Sequence, residues 1–213
     1  MALNMDITHL VALAAALGWA SGMRLYAVVF LVGAAGYLGW VPLPDGLTLL
    51  QNPLVLGASF LMFAMEFVVD KIPGVDTLWD AIHTFIRIPA GAALAAGVFS
   101  GTPALGGEHE VTQAWMLIAA LAGGTLAATA HAAKATTRAA ANTSPEPFSN
   151  IALSLAGDAA VPAMLWLAWE HPLWFFPALA VALLMAVVML VVFFKFLRAL
   201  WRRFVPNPRP VGI

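Results

Sequence analysis

Residues 62–89 read MFAMEFVVDKIPGVDTLWDAIHTFIRIP and place Glu66, Asp70, Lys71, Asp76, Asp80, His83 and Arg87 between two hydrophobic runs. The 213-residue chain is 62% hydrophobic and only 10% charged, against about 25% charged residues in a soluble domain. Charges this scarce, gathered in one place, predict a polar interior sheltered by apolar helices. The two runs around the turn at Ile72, Pro73 and Gly74 are each near the ~20 residues that cross a bilayer. A helix is the default span, because it satisfies its backbone groups internally. The runs do not alternate, so a barrel is not expected.

Outward from this stretch, the pattern gives six hydrophobic segments: 7–40, 54–72, 78–99, 113–135, 148–169 and 173–197. The expected fold is an all-α polytopic membrane bundle of about six helices, one integral domain over 1–200 with a basic cytoplasmic tail over 201–213. The first segment is too long for one span. Gly22 permits a bend and Arg24 would otherwise lie deep in lipid, so a break or sharp kink is predicted between Trp19 and Arg24. The N-terminus lacks a basic leader and reads as retained structure. With six spans, Lys71, Lys134, Arg138, Lys195, Arg198, Arg202, Arg203 and Arg209 fall on one side, and the loops opposite have no Lys or Arg. The positive-inside rule then puts both termini in the cytoplasm. The glycine-rich loop 100–113 is expected outside, and the prolines of NTSPEPFSN (142–150) should end the fourth helix and begin the fifth. Segments two and three, and four and five, read as two helical hairpins, a candidate parallel repeat.

The polar residues recur at helical period. Glu66 and Asp70 are spaced i, i+4; Asp80, His83 and Arg87 follow i, i+3, i+7, as do His131, Lys134 and Arg138; Asn150, Ser154 and Asp158 follow i, i+4, i+8. Each set shares one helix face. Intramembrane ionisable groups are functional candidates, so the expected solute or ion pathway comprises Arg24, Glu66, Asp70, His83, Arg87, His131, Lys134 and Asp158, lining a vestibule open to the cytoplasm. Arg87 and Asp158 are expected to face the same polar interior, directly paired or joined by water or His131. Plainer roles compete: interface capping for Asp70, Lys71, Asp76 and Asp80, anchoring for Lys134 and Arg138, structural bonding for His83 and His131. The Ala-, Gly- and Thr-rich fourth segment suits a bundle centre.

A formal charge of −1 offers no basic field for nucleic acid. The absence of cysteine removes disulfides and thiol chemistry. There is no Walker loop, H-E-x-x-H or G-x-S-x-G, so neither an enzyme nor a cofactor is indicated, and no ligand spacing supports a metal. The expected partners are the lipid bilayer, an unknown small solute or ion and, in an assembly, further copies of the chain as a homo-oligomer.

The stretches SGMRLYAVVF (21–30), EFVVDKIPGVDTLWDAIHTFIRIPAGA (66–92) and HAAKATTRAAANTSPEPFSNIALSLAGD (131–158) resemble a bacterial membrane family known as domain of unknown function 4126. That resemblance covers about residues 10–169. It implies one integral membrane domain in a bacterial inner membrane and brings no substrate or catalytic residue. The leading expectation is a transporter or channel-like protein for a small solute or ion, with proton coupling one form it can take; the alternative is a membrane scaffold or accessory subunit whose buried charges are structural. An enzyme acting on lipid headgroups ranks third, for want of a nucleophile or metal site.

Overall fold

The computed structural model describes residues 5–101, 109–143 and 148–204. Described are six α-helices, α1 (Ile7–Tyr37), α2 (Pro53–Val69), α3 (Val75–Gly97), α4 (His109–Ala141), α5 (Phe148–Glu170) and α6 (Pro172–Phe204), and a 3-10 helix, Asp45–Gln51. The 3-10 helix was not anticipated. Helix α6 runs through residue 200, so the boundary expected there between domain and tail falls inside an element. The loop residues 102–108, the prolines at 145 and 147, and residues 205–213 lie outside the described residues.

Local signals explain the helix ends. Asp6 caps α1, its Oδ1 accepting the His9 amide at 2.9 Å; this bond and the His9 ring hold its carboxyl below the usual aspartate range. Asn52 caps α2 by accepting from the Leu54 amide at 2.9 Å, with Pro53 in the first turn where its missing N–H is not needed. Between α2 and α3, Gly74 takes φ +85°, which side chains with a Cβ rarely adopt. Asp76 then folds back, accepting from the Gly74 amide at 2.9 Å and the Thr77 amide at 2.6 Å.

Helices α1, α4, α5 and α6 are long and apolar enough to cross a membrane, and the 3-10 helix with α2, bent by 71°, forms a fifth candidate. Helix α3 is not among them, because its buried face is polar: Asp76, Asp80, His83 and Arg87.

Helix α1 is broken at Arg24, whose φ −150°, ψ 78° is not helical, within the expected Trp19–Arg24 interval. The break does more than kink the helix. Val11 and Ala15 share a small cavity with Phe99 and Trp115, at the C-terminal end of α3 and the N-terminal part of α4. Beyond the break, Phe30 packs on Phe60 and Phe63 of α2 and Gly33 meets the Leu50 carbonyl, in the 3-10 helix whose Gly46 meets Gly97. A straight helix would separate Val11 from Gly33 by ~33 Å, yet both lie near the same end of α3. Arg24 instead reaches Asp70 and Ser154, toward the opposite end. Helix α1 is therefore a V that enters and leaves at one end of the bundle, with Arg24 at its apex.

The V places the N-terminal end of α1 opposite the α2–α3 turn. Helix α6 starts where α5 ends and runs back along α4, Ala182 to Met189 sharing a cavity with Lys134, Arg138 and Leu153, so it heads toward the end with the α2–α3 turn. The described chain ends sit at opposite ends of the bundle. The bundle centre is α1, two-thirds buried (67%) over its most apolar window against 28% for α4. Small residues let α1 approach so closely: a Cβ on Gly18 would lie 2.6 Å from the Gly123 Cα, and one on Gly22 would collide with the Ala127 carbonyl.

Candidate functional site

Five helical elements converge on one charged cluster. From the apex of α1 comes Arg24; from the end of α2 and its turn, Glu66, Asp70 and Lys71; from α3, Asp76, Asp80 and Arg87; from α4, Lys134 and Arg138; from α5, Asp158. Five cations meet five carboxylates, so the cluster is formally neutral. Glu66, Asp70, Asp76 and Arg87 have no exposed surface.

Arg87 lies 2.6 Å from Glu66 and 3.0 Å from Asp80. Lys134 sits among three acids: Asp70 at 3.1 Å, Asp80 at 3.2 Å and Glu66 at 3.7 Å. Asp70 is the matching hub, with Arg24 at 2.7 Å, Arg138 at 3.0 Å and Lys134. Arg24 also pairs with Asp158 at 2.9 Å and donates to the Ser154 hydroxyl at 2.9 Å and carbonyl at 3.0 Å. Lys71 closes the rim beside Asp158 at 3.5 Å, over the Phe67 ring. Desolvation lowers the Lys71 ammonium below its ordinary range, and Asp158 opposes that shift. Isolated charges buried this deeply would be prohibitive; pairing with a second partner for most of them makes the cluster tenable.

His131 is fixed by its neighbours. The Arg87 guanidinium can only donate, so at 3.2 Å the His131 Nδ1 accepts. Its Nε2 then carries the proton and donates to the Thr84 hydroxyl at 2.7 Å, which donates onward to the Asp80 carbonyl at 2.9 Å. His131 is thus a neutral link between Arg87 and α3. His83 stands apart: its Nδ1 meets the Trp79 carbonyl at 2.8 Å, and its ring stacks on Trp79 and meets the Tyr26 edge.

Seven of the eight expected pathway residues are in the cluster or bonded to it; His83 is at its margin. Within the cluster the side chains close on one another. Arg87 and Asp158 share the cluster but do not pair, and His131 bonds Arg87 without bridging to Asp158. Asp80 and Arg138 are 1% and 3% exposed, so a water-facing role does not describe them. Gly74, not Asp76, is the N-cap residue of α3; Asp76 lies buried in the first turn, accepts from the Gly74 and Thr77 amides and holds Arg138 at 3.3 Å. For Asp76 and Asp80 the sequence carries a signal: with His83 and Arg87 they form one continuous stripe at i, i+4, i+7, i+11. Thr84 and Asn142, which donates to Asp76 at 2.9 Å, had no such signal.

Beside the cluster, between α1, α4, α5 and α6, lies a cavity of about 380 Å³. Three of the cluster's cations line it, Arg24, Lys134 and Arg138, and none of its carboxylates does. The other walls are mainly apolar.

No curated protein and no solved structure matches the chain. A family model described as a domain of unknown function does match, over residues 11–192, and the chain therefore belongs to the DUF4126 family.

Proposed function

We propose that this is a multi-pass protein of a bacterial inner membrane that moves a small solute or ion, using the charged cluster as its gate. The observation that carries the reading is the broken helix: α1 turns back at Arg24, whose buried guanidinium enters the cluster, and the Gly22 carbonyl beside the break accepts from Arg87 at 3.4 Å. Discontinuous helices meeting at charged groups inside the membrane are a recurring way to build a transport site. The hubs Asp70 and Lys134 each have more than one counter-ion, so a partner can be exchanged without leaving a charge bare. Uptake or release of a proton by a cluster carboxylate would drive such an exchange.

For orientation, Lys71, Lys195, Arg198 and Arg202 gather at the end of the α2–α3 turn, while Asp6, Asp45, Glu110 and Glu170 lie at the other. The positive-inside rule puts the basic end in the cytoplasm and the N-terminal end of α1 outside. In this reading the hairpins α2–α3 and α4–α5, both turning at the cytoplasmic end, act as two comparable arms around α1.

Proteoliposomes containing an internal pH dye test the proposal, with potassium chloride, phosphate and acetate offered in turn across a pH gradient. Protein-dependent flux that Arg24→Gln abolishes is the expected result. Flux no greater than in protein-free liposomes for every solute and gradient would oppose it. One observation favours the alternative, a membrane scaffold or accessory subunit: every cluster charge already has a partner. On that reading, variants that keep the fold leave all fluxes at the protein-free level and alter only assembly with other membrane proteins.

A further inference from the structure

The cavity between α1, α4, α5 and α6 has a direction. Lys134 and Arg138 on α4, with Leu153 on α5 and Met189 on α6, lie toward the basic end; Trp19, Ala160 and Ala182 lie further in. It is cationic at one end and apolar at the other, the polarity of a lipid standing in the leaflet at the basic end. Met185 and Met189 line it and are 58% and 50% exposed, so it reaches the outer surface of the bundle where acyl chains lie.

A buried donor is unused there. Arg24 is 1% exposed, and its Nε has neither a hydrogen-bond nor an ion-pair partner among the described residues. A Cβ added at Gly157, also in the cavity wall, would have that Nε as its nearest neighbour, at 3.7 Å. Glycine at 157 thus keeps space open in front of an unsatisfied N–H, which an acceptor oxygen would complete. The cavity volume falls within the range of small-molecule sites, roughly 300–1,000 Å³. Basic pockets between membrane helices on the cytoplasmic side suit anionic headgroups.

We infer that this cavity binds one anionic phospholipid of the leaflet at the basic end, its phosphate against Arg24, Lys134 and Arg138 and an acyl chain along α5 and α6. The site goes beyond the transport reading and holds whether or not the protein moves anything.

The test uses the full chain purified in non-ionic detergent. Native mass spectrometry and thermal unfolding compare phosphatidylglycerol with phosphatidylcholine of the same chains, and with inorganic phosphate. One phosphatidylglycerol should be retained, preferred over phosphatidylcholine by about tenfold, as a contact difference of ~1.4 kcal/mol gives. Gly157→Leu, which fills the space before Nε, should bring the preference close to one while the protein still unfolds cooperatively. Met189→Trp obstructs the rim from an exposed position and should do the same if Gly157→Leu does not fold. Equal retention of the two lipids, or a preference that survives both substitutions, would overturn the site. Stabilisation by inorganic phosphate equal to that by phosphatidylglycerol would also overturn it, by showing that the tail contributes nothing. If neither variant folds, the wild-type comparison of the three probes decides.

Discussion

Arg87 touches Glu66 and Asp80 but not Asp158, and this settles which energies should couple. Removing one member of a buried pair leaves an uncompensated charge, which costs about 3–5 kcal/mol. For Arg87→Met with Glu66→Gln, we expect the double variant to be less destabilised than the sum of the singles by ~1–3 kcal/mol, the range for residues in direct contact. For Arg87→Met with Asp158→Asn, separated by intervening pairs, the coupling should be under ~0.5 kcal/mol. Thermal unfolding of the three single and two double variants in detergent checks both values; equal coupling in the two cycles would show that the cluster acts as one undivided unit. Helical spacing made Glu66, Asp70, Arg87 and Asp158 legible in the sequence, because a periodic polar stripe in an apolar helix has few explanations. The partners were not legible. Which acid meets which cation depends on how far each helix is rotated and slid against its neighbours, and spacing within one helix does not carry that. Asp80 and Arg138 were misjudged for a related reason: nearness to a helix end does not expose a side chain when a neighbouring helix covers it.

At the scale of elements, the close packing of α1 on α3 and α4 rests on the absence of side chains. A Cβ at Gly18 would collide with the backbone at Gly123, which cannot swing aside as a flexible side chain can. Gly18→Leu should therefore destabilise by ~3 kcal/mol or more, at or above the usual overpacking cost. Gly57 of α2 is the control: nothing lies within 4 Å of a Cβ there, so Gly57→Leu should be neutral or mildly stabilising through helix propensity. Melting temperatures of the two variants in one detergent test the contrast, and similar losses at both sites would count against the packing described. The break in α1 was readable because 34 apolar residues exceed one span and Arg24 falls in their middle. The length of the run could not distinguish a kink from a reversal. The reversal depends on contacts with the 3-10 helix and α3, partners that lie far away in sequence.

For the whole molecule, the V of α1 unites the features that matter. It brings both its arms to one end, sets the described chain ends at opposite ends and delivers Arg24 to the cluster. Because the chain has no cysteine, single cysteines report sidedness without background. Trp40→Cys and Ile7→Cys should label from the same side, and Thr143→Cys from the other; Ile7 labelling together with Thr143 would restore the six-span arrangement. The same cysteine-free chain allows a direct test of the V by electron-spin distance measurement between labels at Ile7→Cys and Tyr37→Cys, both exposed positions at the two ends of α1. A continuous helix over these residues would give about 45 Å. The V should give a mean distance below ~35 Å, since ~1.5 Å per residue along each arm is largely cancelled by the reversal at Arg24; a distribution centred near 45 Å would contradict the V and, with it, the place of Arg24 at the heart of the cluster.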